Sequence, residues 1–194
     1  MKRILIALCA LLPALAFAHI GADAGIHHGS AFIMGLTHPF TGLDHMAAMI
    51  TVGVWSMLAF RHSPRAALTA PAAFACLLLV GGLLGFAGIA FGGVEPMIAA
   101  SLLVLGLMVA LRVKLPAAVG ALIVGAFAIF HGIAHGAELP AERAAAALSG
   151  MVLGTLILHV SGMTLARFGL ERNVWLPRIA GAGVALFGLS LLTA

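Results

Sequence analysis

Charge is what this sequence has least of. Only 8% of its 194 residues are Asp, Glu, Lys or Arg, against roughly 25% in an ordinary soluble domain. Apolar residues make up 63%, and the mean hydropathy is +1.18. Such a chain cannot cover a folded surface with polar groups, so its solvent must be lipid. The formal net charge of +4 is no nucleic-acid signal, because the basic residues are scattered through short loops. Cysteine is scarce too: Cys9 falls in a segment expected to be removed, and Cys76 stands alone in an apolar run. That excludes a disulfide framework or a thiolate metal site within one chain. There is no Gly-x4-Gly-Lys-[Ser/Thr] loop, so nothing points to ATP or to an ATPase subunit.

What is present begins with a secretory signal over 1–18. Lys2-Arg3 is its basic start, Ile4 to Leu12 its apolar core, and Ala16-Phe17-Ala18 an A-x-A cleavage site. The apolar run is short for a membrane span of ~20 residues, which disfavours an uncleaved first helix. Cleavage after Ala18 would leave His19 at the new N-terminus, where its amine and ring could chelate a metal together. Residues 19–30 form a Gly-rich polar lead-in carrying Asp23, His27 and His28, with metal collection the sharper reading and a plain external tail the blander one.

The remainder, 31–194, reads as an all-α, polytopic membrane bundle. Apolar spans are expected near 31–60, 66–91, 95–111, 116–136, 143–166 and 174–193, about six helices. The first span is broken at Pro39 and Gly42. Thr41 and Asp44 fit a capping box for the helix that resumes there. Alternate connections are basic: Arg61 and Arg65, then Arg112 and Lys114, then Arg167, Arg172 and Arg178. The opposite ones carry Glu95, Glu138, Glu142 and Arg143. Lys and Arg favour the cytoplasmic side. Both mature termini are therefore expected on the periplasmic side of a bacterial inner membrane. Glycine pairs such as Gly81/Gly85 and Gly150/Gly154 suit close helix packing, within the chain first and between copies in a homo-oligomer second.

Two polar knots interrupt this apolar background, both at the outer ends of their spans. The first is His38-Pro39-Phe40-Thr41-Gly42-Leu43-Asp44-His45, and the second runs from His131 through His135 to Glu138. Ionisable groups at membrane depth are costly and mark pathways or sites. On a helix, His131, His135 and Glu138 share one stripe. Two imidazoles and a carboxylate suit nickel, cobalt, zinc or copper(II) better than magnesium or calcium. The bland alternative is that each histidine bonds a carbonyl or hydroxyl of another helix. In the first knot, the break lets His38 fold back toward Asp44. Asp44 serves as a ligand, as a cap, or as the group that orients a histidine through its second ring nitrogen. His159, deeper in the fifth span, is a weaker candidate, either a lower waystation or a histidine bonded to its neighbour. Glu95 reads as a helix cap, with cation attraction as the alternative. Met46, Met49 and Met57 read as packing rather than as copper(I) ligands.

The pattern His38-Pro-x-x-Gly-x-Asp-His45, in a first span after a signal, resembles that of the HupE/UreJ family of nickel permeases. The stretch Phe130-His131-Gly132-x-Ala134-His135-Gly136-x-Glu138 is similar to the family's second signature. The resemblance implies uptake of nickel, sometimes cobalt, to supply hydrogenase or urease. It also implies that His38, Asp44, His45, His135, His131 and Glu138 are needed for transport. The residues themselves leave two other readings open. One is a membrane accessory that binds copper, zinc or nickel without moving it. The other is an intramembrane hydrolase with a metal-activated water, although no substrate-reading pocket or lid is visible.

Overall fold

A computed structural model describes residues 31–89, 92–139 and 141–194. The signal segment, the lead-in and with them His19, His27 and His28 lie outside the described residues. The described chain forms seven α-helices: α1 (Ala31–Thr37), α2 (Leu43–Ala59), α3 (Pro64–Phe86), α4 (Val94–Ala110), α5 (Ala117–Glu138), α6 (Ala144–Phe168) and α7 (Trp175–Thr193). A 3-10 turn, His38–Phe40, joins α1 to α2. Four helices, α3, α5, α6 and α7, are long and apolar enough to cross a bilayer. The α1 arm and α2 pass the same test as a single span bent by 78°, and α4 is apolar but only 17 residues long. The protein is a multi-pass membrane protein. Its outer surface carries exposed Leu111, Leu122, Ile179 and Leu186, as a lipid-facing surface should.

The break in the first span falls where Pro39 and Gly42 predict it, but the expected capping box does not form. Gly42 is the residue before α2, and no side chain caps that helix. The 3-10 turn takes the Thr41 hydroxyl instead, which donates to the His38 carbonyl at 2.7 Å. Helix α3 ends at Phe86, well short of the expected residue 91. Gly88 adopts φ +80°, and Gly88 N–H and Ile89 N–H return to the carbonyls of Gly85 and Leu84. This left-handed cap is invisible to hydropathy, because the residues beyond it are still apolar.

Packing follows the glycines. Helix α3 lies along α5, α4 along α7, and α6 receives both α1 and α2. On the first seam, Gly132 of α5 presses on the Leu78 carbonyl of α3, and Gly136 presses on that of Gly82. Gly81 and Gly85 of α3 meet the carbonyls of Ile129 and Ile133 in return. Gly150 and Gly154 seat the α1 arm on α6, and Gly53 of α2 lies against the His159 carbonyl. These close approaches are what small-residue seams allow in lipid, where dispersion rather than water exclusion drives association. The loops then sort by end. The α2–α3, α4–α5 and α6–α7 connections are the basic ones, with Arg61, with Arg112 and Lys114, and with Arg172, while the α5–α6 connection, with Glu142 and Arg143, and the α1–α2 elbow lie opposite. Trp55 Nε1–H donates to the Val113 carbonyl at 3.0 Å and pins α2 to the basic end.

Gly132→Ala should lower the thermal midpoint in detergent, with a cost of about 1–3 kcal/mol, because its Cβ would strike backbone rather than a movable side chain. Gly183→Ala on α7 meets nothing and should be neutral or stabilising by about 0.5–1 kcal/mol.

Candidate metal centre

The alternation His-Gly-x-x-His-Gly on α5 explains how the site is held. Gly132 and Gly136 form the stripe that touches α3, which turns the adjacent stripe, His131 and His135, about 100° away and into the bundle. Both rings are buried, at 0% and 2% exposure. The 78° elbow brings the first knot against them.

His38 is carried on the 3-10 turn, and its Nε2 lies 2.8 Å from Glu138 Oε2, a pairing across 100 residues of sequence. His38 thus takes Glu138 as its partner, while Asp44 Oδ1 is taken by His45. The turn aims His38 across the bundle. The His38 ring stands edge-on to His135, with centroids 4.8 Å apart. His45 completes the cluster, with its centroid 4.4 Å from His135 and 4.9 Å from His131. One ligand atom from each of His38, His135 and Glu138 fits within a 4.8 Å spread, close enough to share one ion.

The hydrogen bonds fix which lone pairs are free. Asp44 Oδ1 accepts from both the backbone N–H and the ring Nδ1–H of His45, at 2.8 and 2.9 Å. A carboxylate only accepts, so the His45 proton sits on Nδ1 and the Nε2 lone pair is left buried without a partner. Ser101 of α4 has one proton, which it donates to the Ile98 carbonyl at 2.6 Å. The 2.9 Å contact between Ser101 Oγ and His131 Nε2 is thus donated by the imidazole. Its Nδ1 is then the free lone pair, and it too is buried without a partner. His135 has no partner at either nitrogen. Three adjacent imidazoles thus each keep an unused lone pair, which is unusual among buried polar groups. Such neutral nitrogens suit nickel, cobalt, zinc or copper.

Exposure grades across the cluster. The Glu138 side chain is 61% exposed, His38 22% and His45 13%, ahead of the fully buried pair on α5. Glu95 was expected to cap α4, yet it makes no cap bond there. It lines one cleft with Glu138 and another with Asp44, so three carboxylates gather at the histidine end of the bundle. Ser101 is not marked in the sequence, where its one signal is a hydroxyl within an apolar span. Nor is Phe74, whose ring touches His131 and carries no polar signal at all.

The family described as HupE / UreJ protein matches residues 6–191 of the chain. The chain belongs to the HupE/UreJ family. Within it, the chain is similar to Protein HupE of Rhizobium leguminosarum bv. viciae, with 44% identity over 184 residues, 93% of this chain and 92% of the relative. No solved structure matches. Both knots and all but the last few residues of the described bundle fall inside the family match, so the likeness read from two short patterns extends over nearly the whole chain.

Asp44→Ala should weaken nickel binding to the purified protein about 10–100-fold, because His45 loses the group that fixes its tautomer. Asp44→Asn keeps an acceptor oxygen and should lose less. Calorimetric titration in detergent distinguishes the two.

Proposed function

We propose that this protein carries a divalent transition-metal ion into the cell, nickel first and cobalt second, for hydrogenase or urease maturation. The observation that carries the reading is the meeting of His38, His135 and Glu138 within a 4.8 Å spread, beside two further histidines with free lone pairs. The hydrated ion is captured at the exposed Glu138 and His38, with Glu95 and Asp44 adding negative charge near the approach. His135, His45 and His131 then replace its water with imidazole nitrogen. Asp44 and Ser101 hold two of those rings in the tautomers that ligation needs.

The sidedness follows from the charges. The basic end faces the cytoplasm, which puts the histidine end and the C-terminus toward the periplasm. The inside-negative potential then favours inward movement by about 4.6 kcal/mol per 100 mV for a divalent ion, twice the value for one charge. The family membership and the ligand chemistry favour transport over catalysis. The soft thioethers that would select copper(I) are taken up by packing, with Met49 fully buried in the core.

In vesicles containing the full chain, nickel should accumulate in the lumen. Cobalt should compete with it better than magnesium does. His135→Ala should abolish accumulation while the amount of protein in the membrane stays the same. Saturable nickel binding without accumulation would mark a metal-binding accessory instead.

A further inference from the structure

His159 lies outside the cluster just described, yet it has the same unusual feature. It is 1% exposed, midway along α6. Its Nδ1 donates to the Met49 carbonyl of α2 at 2.8 Å. A carbonyl only accepts, so the proton is on Nδ1 and the Nε2 lone pair is free, buried and without a partner. Met49 is four residues beyond His45 on α2, about 6 Å farther from the mouth.

One aromatic ring separates the two sites. Phe74 of α3, fully buried, packs edge-on to His159 with centroids 5.1 Å apart, and lies 5.6 Å from His131. Two hydroxyls, one on α6 and one on α2, share the unpartnered state of His159. On α6, Ser149, Ser161 and Thr164 each donate to a carbonyl of their own helix at 2.7–2.8 Å. Thr155, one turn from His159 on the same face, does not, and its hydroxyl is buried without a partner. Ser56 of α2, nearer the basic end, is left in the same way. Its neighbour Trp55 lines a cleft of about 240 Å³ with Arg112 and Lys114 at that end.

We infer that His159 Nε2 is a second, inner cation-binding station, and that the Phe74 ring is the apolar partition an ion passes between the histidine cluster and this station. The inference rests on the uptake reading and deepens it. The outer cluster captures the ion, and His159 receives it once Phe74 swings aside. Thr155 and Ser56 supply oxygen along the same α2–α6 seam. A histidine needed only to join α6 to α2 would require its Nδ1–H and nothing more.

The test uses vesicles containing the full chain. His159→Asn keeps an N–H near the Nδ1 position and removes the Nε2 lone pair. It should lower the maximal rate of nickel uptake at least about tenfold, with no rise in the half-saturating nickel concentration and no change in thermal midpoint. His159→Cys puts a softer ligand at the station and should raise cadmium uptake relative to nickel. Uptake by His159→Asn at the unaltered rate would overturn the inference. So would an unchanged cadmium-to-nickel ratio in His159→Cys. Failure of the unaltered chain to accumulate nickel is a separate result, and it would overturn the uptake reading together with this one.

Discussion

A buried polar atom without a partner costs about 1–3 kcal/mol, and this bundle holds several of them side by side. His45 of α2 faces His131 and His135 of α5, and all three keep free lone pairs that no protein donor satisfies. Hydrophobic packing cannot account for that arrangement, since an apolar residue at each position would remove the cost. The rest of the structure serves to hold these nitrogens together. Glycines press α5 onto α3 so that its histidines turn inward, the elbow at Pro39 and Gly42 brings the first knot over them, and Asp44 and Ser101 each hold one ring.

The two ends of the bundle differ accordingly. At the histidine end, carboxylates and partly exposed imidazoles grade into buried ones. At the other end, arginines and Lys114 surround open clefts. A cation meets attraction on one side and repulsion on the other. That polarity draws a cation to the histidine end and away from the basic one.

Much of this was legible in the sequence. Apolar runs place the helices, because membrane spans need a continuous hydrophobic length. The elbow is written in Pro39 and Gly42. The His131, His135 and Glu138 stripe follows from helical spacing, and the family likeness from two short patterns. What could not be read depends on distant partners. Nothing local says that His38 pairs with Glu138 rather than with Asp44, that Ser101 holds His131, or that Phe74 lies between two histidines. Thr41 shows the converse failure. Its spacing from Asp44 suggests a cap, but the 3-10 turn offers its hydroxyl a nearer acceptor.

The elbow also divides the cluster between unequal supports. His131 and His135 project from a 22-residue helix wedged backbone-to-backbone against its neighbour. His38 stands on a three-residue turn behind a seven-residue arm. Bonds formed half from a clamp and half from a lever need not break together. An ion held there would lose the lever's bond first, so that a tight grip would loosen through a series of small, partial releases rather than one steep climb.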